Sequence, residues 1–280
     1  MLFSRMKFTE KDFMFIKELL LDQAGISLNN DKSELVYSRL ARRLRQLGLE
    51  DFSDYCELLK EKNSREIEHC LNAITTNHTS FFREDHHFKF LSNVLLNGHV
   101  KKAKDEGGKR RFRIWSAGCS SGEEPYSIAI TVKEFGKDLA GWDVKILAAD
   151  IDSNILEQAK AGVYRQFNEK DSVLSGRRRW FQKGKGSNEG LVKVIPEIRD
   201  MVEFRKMNLK GQWSLEEKFD VIFCRNVMIY FDKEIKIQIF KNFASSLVES
   251  GHLIVGHSES LNQLSSDFIA LGGTIHRKKK

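Results

Sequence analysis

No stretch of the chain approaches the roughly 20 apolar residues that a membrane span needs. The opening Met1-Leu2-Phe3-Ser4-Arg5-Met6-Lys7 holds no apolar run long enough for a signal peptide. A cytoplasmic protein without direct membrane insertion is therefore expected. Cysteine is sparse: Cys56, Cys70, Cys119 and Cys224 form no C-x-x-C pair and have no histidine at metal spacing. Four reduced thiols and no metal centre are the expectation. Neither GxGxxG nor GxxxxGK[ST] occurs, so the dinucleotide and phosphate-loop fingerprints both fail. Internal repeats and low-complexity segments are absent as well.

What is there begins with charge and size. Lysine plus arginine is 46 against 39 aspartates and glutamates, a formal balance of +7, and part of the excess lies in the Arg277–Lys280 tail. That excess permits nucleic acid but suits an acidic protein partner equally well. At 280 residues and 41% hydrophobic content the chain can bury one large core and a smaller second one.

The richest stretch runs from Arg113 to Pro125, where a short apolar run enters the small-residue loop Ser116-Ala117-Gly118-Cys119-Ser120-Ser121-Gly122 and then Glu123-Glu124-Pro125. This is the pattern of a first βα turn: glycines let backbone approach a ligand, and proline suits a first helical turn. A second apolar run, Val144–Ala149, ends in Asp150, where such folds bind ribose hydroxyls. Glu123 and Glu124 would repel a pyrophosphate. An adenosine-type ligand without phosphates remains, and S-adenosylmethionine is the commonest.

Organisation follows from periodicity. From Thr9 to about His99 the pattern is helical, with a capping box at Thr9 and Asp12 and a stop at Gly25. Asn30 or Asp31 is the expected cap of a second helix carrying Val36, Leu40, Leu44 and Leu47 and ending at Gly48, and further helices fall near 52–61 and 64–74. From Arg111 strands alternate with helices: 112–116, 144–149, 202–207, 219–224 and 252–256, closing with a hairpin around Gly272-Gly273. An α/β fold is predicted, a small N-terminal all-α domain followed by the doubly wound sheet of class I S-adenosylmethionine-dependent methyltransferases. The expected boundaries are 1–85 for the helical domain, 86–109 for a linker helix and junction, and 110–280 for the methyltransferase domain. An antiparallel β-subdomain is expected at about 175–202, as two short strands around a glycine-rich turn.

Asn77-His78-Thr79-Ser80-Phe81-Phe82-Arg83, the Trp115–Tyr126 loop, Cys224-Arg225-Asn226-Val227-Met228-Ile229-Tyr230-Phe231 and Gly256-His257-Ser258-Glu259-Ser260 occur in that order. Together they resemble the CheR-type chemotaxis receptor methyltransferases, of the receptor-pentapeptide-binding kind, over nearly the whole chain. The resemblance implies methyl transfer from S-adenosylmethionine to glutamates of methyl-accepting chemotaxis receptors, yielding glutamate 5-O-methyl esters and S-adenosylhomocysteine. It implies cofactor contacts at Asn77, Thr79, Arg83, Glu124, Asp150, Asn208, Leu209, Asn226 and Val227. It also implies a cytoplasmic enzyme recruited to membrane receptors through their methylation helices and C-terminal pentapeptide, with no nucleic-acid partner and a monomeric state.

The chemistry asks little of the protein. A glutamate of pKa about 4.3 is already ionised at neutral pH, so displacement at a sulfonium needs no base, acid or metal. Alignment and exclusion of water are the expected sources of rate. Arg83 is the candidate for holding one carboxylate oxygen, set against a plain surface salt bridge. Tyr230 is a second catalytic candidate, with core packing as its alternative. Asp150 and Glu124 have helix-capping and helix-dipole alternatives, and Asn226 has a turn-forming one. Ser116 stands where many such enzymes carry an acid at the end of the first strand.

For the substrate, Arg39, Arg42, Arg43 and Arg45 occupy much of the circumference left by the apolar face, where they complement an acidic helix, with a plain solvated face as the alternative. Lys183, Gly184, Gly186, Gly190 and Lys193 are the expected peptide site, the glycines leaving a strand edge open for β-augmentation. Two other readings stay open: an RNA methyltransferase or RNA-binding module, and a non-catalytic cofactor-sensing scaffold. The first predicts aromatics interleaved with the arginines, which the Arg39–Arg45 stretch lacks. The second predicts loss of Asp150, Arg83 or Asn226, all of which are present.

Overall fold

The computed structural model describes residues 5–61, 64–107, 110–167, 174, 176–261 and 264–280. Residues 108, 109 and 175, which fall in the expected junction and at the edge of the expected insertion, lie outside them.

The first four helices are α1 (Glu10–Ala24), α2 (Ser33–Leu47), α3 (Phe52–Lys60) and α4 (Ser64–Ile74). Thr9 and Asp12 form the reciprocal box at the start of α1: the Thr9 hydroxyl accepts from the Asp12 amide, and the Asp12 carboxylate accepts from the Thr9 amide at 2.9 Å. Gly25 and Gly48 end α1 and α2 in the left-handed conformation. Neither Asn30 nor Asp31 caps α2, contrary to expectation, because both belong to a 3-10 turn, Asn30–Lys32, that leads the chain into the helix already coiled. Phe13, Ile16 and Leu20 pack on Val36, Leu40, Phe52 and Tyr55 in one closed core.

The segment expected to be a linker is a layer of the second domain. Helix α5 (His86–Phe90), a π-helical stretch at Leu91–Leu96 and α6 (Asn97–Glu106) run on from one another. Phe88, Leu91, Leu95 and Leu96 are buried in the same cluster as Phe112, Ile114 and Tyr126. Their apolar spacing covers a sheet face, while Lys89, Asn93, Val94, Asn97 and the lysine-rich end face solvent, so the helix belongs with the sheet.

That sheet has seven strands in the order β6-β2-β1-β7-β8-β10-β9. The members are β1 (Arg111–Ala117), β2 (Asp143–Asp150), β6 (Val202–Lys206), β7 (Phe219–Cys224), β8 (Leu247–Val255), β9 (Phe268–Gly272) and β10 (Ile275–Lys278). From β6 to β8 neighbours are parallel, and β10 returns antiparallel against β8 and pairs with β9, as the terminal hairpin predicts. The central strands read as unbroken apolar runs because both faces are covered. Ile114, Ile146 and Phe223 enter the cluster beneath α5 and α7 (Glu123–Phe135), while Trp115, Leu147 and Ile222 enter the opposite one, against α10 (Lys233–Ser246).

The remaining helices, α8 (Ser153–Ala161) and α9 (Pro196–Arg199), bracket a small antiparallel sheet ordered β3-β5-β4. Its strands are β3 (Val163–Arg165), β4 (Phe181–Lys183) and β5 (Leu191–Val194). The two-strand expectation is corrected here: β3, three residues directly after α8, is too short to show a period of its own.

Candidate active site

A cavity of about 400 Å³ opens at the carboxyl ends of β1, β2, β6 and β7, beneath the helical domain. Open parallel sheets bind ligands at these strand ends, and the volume lies in the range of small-molecule sites. All of the residues expected to contact a cofactor line this one cavity, with Tyr230 and Arg39.

The β1 loop makes the tightest approach. A Cβ at Gly118 would lie 2.3 Å from Cγ2 of Val227, so only glycine lets the two loops close on each other. Asp150, the last residue of β2, accepts from the Ser120 amide at 2.8 Å and the Asp152 amide at 3.1 Å. Burial pushes its carboxyl up, while these amides pull it down. Each oxygen keeps a lone pair for a hydroxyl donor. This loop geometry accounts for the absence of GxGxxG: an aspartate rather than a run of amides faces the ligand.

Glu124 resolves the missing acid of β1. Ser116 donates to Glu124 Oε1 at 2.7 Å, and Arg225 Nη1 donates to Oε2 at 2.9 Å, so the helix start places a carboxylate just beyond the strand end. The Arg225 side chain is 2% exposed and also donates to the carbonyl of Arg83. Asp152 caps α8 through the Asn154 and Ile155 amides and accepts from Thr75 Oγ1 at 2.8 Å and Asn77 Nδ2 at 2.9 Å. Sequence reasoning missed both Arg225 and Asp152. Their only signal was position, Arg225 next to Asn226 and Asp152 two residues past Asp150.

Other candidates are placed as follows. Arg83 is partly exposed, donates to the His78 carbonyl at 3.1 Å and faces the cavity. Thr79 lines the same wall. Asn208 turns its amide to the Gln23 carbonyl at 2.7 Å, and Leu209 is buried behind it. Asn226 stands at φ 61°, in the left-handed region. Tyr230 offers its carbonyl to the Ser27 amide at 2.8 Å, joining the domains at the cavity mouth.

The four arginines of α2 do not share one face. Arg43 pairs with Glu66 at 2.6 and 3.0 Å, a carboxylate that also accepts from Tyr55, so it serves the bundle interior. Arg39 donates to the carbonyls of Ile74 and Thr75 and to Thr76 Oγ1, tying α2 to the interdomain segment. Arg42 and Arg45 are exposed.

The small sheet departs from expectation in two ways. Lys193 stands opposite Gln182, so Lys183, the next residue along β4, projects to the other face. Gly184 is demanded by the turn rather than by an open edge, since a Cβ there would lie 2.0 Å from the Asn188 carbonyl oxygen. Gly186 and Gly190 lie in the same turn. A hollow of about 480 Å³ beside β4 is lined by Lys183, Gly184 and Lys193.

S-adenosylmethionine fits this donor set. Asp150 has acceptor capacity left for hydroxyl donors, Gly118 and Val227 meet closely in the cavity lining, and Glu124 and Asp150 make the wall hostile to phosphates. Comparison with known proteins agrees. Residues 77–276 match the CheR methyltransferase SAM binding domain, and residues 11–75 match the CheR methyltransferase all-alpha domain. A chemotaxis protein methyltransferase of Salmonella typhimurium is 42% identical over 279 residues, covering 99% of this chain and 93% of that protein. Chemotaxis protein methyltransferase 2 of Pseudomonas aeruginosa is 41% identical, covering 96% and 93%. The chemotaxis protein methyltransferase of Borreliella burgdorferi is 36% identical, covering 90% and 89%. With an S-adenosylmethionine pocket assembled from its own strand ends, this chain belongs to the CheR methyltransferase family.

Proposed function

We propose that the chain methylates glutamate side chains of methyl-accepting chemotaxis receptors, forming glutamate 5-O-methyl esters. The observation that carries this reading is Arg83, a partly exposed guanidinium on the wall of the cavity that holds Asp150, Glu124 and Asn226. When bound, S-adenosylmethionine supplies an electrophilic methyl group on a sulfonium. Arg83 holds one oxygen of the incoming carboxylate and leaves the other free to attack. Lys32 and Arg39 on the helical-domain wall add positive charge along the approach. The names of the relatives, all chemotaxis protein methyltransferases, support the same substrate class.

The deciding assay uses labelled S-adenosylmethionine and receptor-containing membranes, followed by alkali. An ester releases methanol under base. Label that stays on the protein identifies an N-methyl product and ends the proposal.

Recruitment is proposed to use two surfaces. Arg42 and Arg45 face an acidic methylation helix, and the β4 edge beside the hollow takes a receptor C-terminal peptide as an added strand. A receptor KM that ignores both charge reversal at Arg42 and Arg45 and competition by free pentapeptide would place docking elsewhere.

A further inference from the structure

Glu259 lies in the Gly256-His257-Ser258-Glu259-Ser260 string just past β8, with no role in the reading above. It is 7% exposed and does not line the cavity. Its carboxylate gathers backbone amides from two loops. Oε1 accepts from the Met228 amide at 2.7 Å; Oε2 accepts from Asn226 at 2.8 Å and from Gly256 at 2.7 Å. Among the described residues it forms no ion pair with a lysine or arginine. A buried carboxylate whose partners are main-chain amides acts on backbone conformation rather than on charge balance.

The loop it holds needs holding. Asn226 is left-handed, a conformation that asparagine adopts more readily than other side chains but that its surroundings still have to fix. The approach from β8 is close as well: a Cβ at Gly256 would lie 2.6 Å from Asn226 Nδ2 and 3.0 Å from Glu259 Oε2. Asn226 and Val227, the residues so fixed, form the cavity wall opposite Gly118.

We propose that Glu259 is a positioning residue for cofactor binding, its carboxylate clamping the β7 and β8 loops so that Asn226 and Val227 present the S-adenosylmethionine wall. The proposal rests on the cofactor assignment and is independent of which carboxylate accepts the methyl group. Glutamate is required on chemical grounds. Glutamine would set an NH2 donor against at least one N–H donor, and aspartate is one methylene short of spanning both loops.

The test is titration calorimetry of S-adenosylhomocysteine into the full chain carrying Glu259→Gln, Asn226→Ala, or both. Glu259→Gln should weaken binding ~10-fold or more, the scale of losing a charge-assisted hydrogen bond. Because Glu259 acts through Asn226 and Val227, the double variant should bind about as weakly as the weaker single one. Affinity within twofold of the parent protein in a folded Glu259→Gln variant overturns the proposal. So does a double variant whose loss is the product of the two single losses. Should Glu259→Gln not fold, Gly256→Ala decides by disturbing the clamp from the other loop. A comparable loss of affinity supports the proposal, and unchanged affinity refutes it.

Discussion

The sheet side of the cavity holds its polar groups with buried carboxylates and main-chain amides, whereas the helical domain, apart from Thr75 and Asn77 on Asp152, meets it through partly exposed ion pairs and contacts to main-chain carbonyls. On the sheet side, Asp150 takes the Ser120 amide and Asp152 takes two amides of α8. Glu124 is fixed between Ser116 and Arg225. On the helical side, Asn208 donates to the Gln23 carbonyl and Lys210 to those of Leu21 and Asp22. Lys206 pairs with Glu68 at 2.7 Å, with both side chains partly exposed. Buried, fully partnered groups are strong and rigid, and exposed ones are weakened by water and salt. Ligand affinity should therefore reside in the floor, while the roof sets enclosure and access.

Asp150→Ala strikes the floor at its strongest point and carries the largest expected effect. It removes the proposed acceptor for the ribose hydroxyls, so S-adenosylhomocysteine affinity should fall ~100-fold or more by calorimetry. A loss of less than tenfold would mean that the floor does not hold the affinity and would break the contrast. Arg83→Ala separates binding from chemistry. Turnover on receptor membranes should drop ~100-fold, the scale of removing one preorganised electrostatic contact. Affinity for S-adenosylhomocysteine should stay within about threefold. Near-normal turnover would remove Arg83 from the mechanism, while an equal loss of affinity would move it into the floor.

The two sides were also unequally legible in the sequence. Strands buried on both faces announce themselves as apolar runs, and Asp150 or Asn226 at the end of such a run points to a ligand. The seven-stranded sheet and the cavity lining were thus readable. The three residues of β3 carry no period. The helix over 86–106 read as a linker helix rather than a layer of the sheet domain because its lysine-rich end masked the apolar face of Phe88, Leu91 and Leu95. Arg43 shows why charge on a helical wheel misleads: its partner, Glu66, comes from another helix 23 residues away. Arg225, Asp152 and Glu259 act on partners distant in sequence. Glu259 meets Asn226 across 33 residues, and local spacing carries no trace of that contact.

The smallest expected effect belongs to the roof. Helix α1 has no basic residue in its last turn, and Lys210 of the other domain supplies the missing cation, donating to Leu21 O at 2.9 Å and to Asp22 O. A cation at an exposed helix C-terminus contributes about 0.3–1 kcal/mol, less at high salt. Lys210→Met should therefore weaken S-adenosylhomocysteine binding by less than about fivefold, with the difference shrinking as salt is added. Such a result sharpens the contrast, because it shows domain closure resting on many weak contacts of which this is one. A tenfold or greater loss that ignores ionic strength would do the reverse. Lys210 would then match a floor residue, and the two domains would have to be treated as one preorganised binding surface.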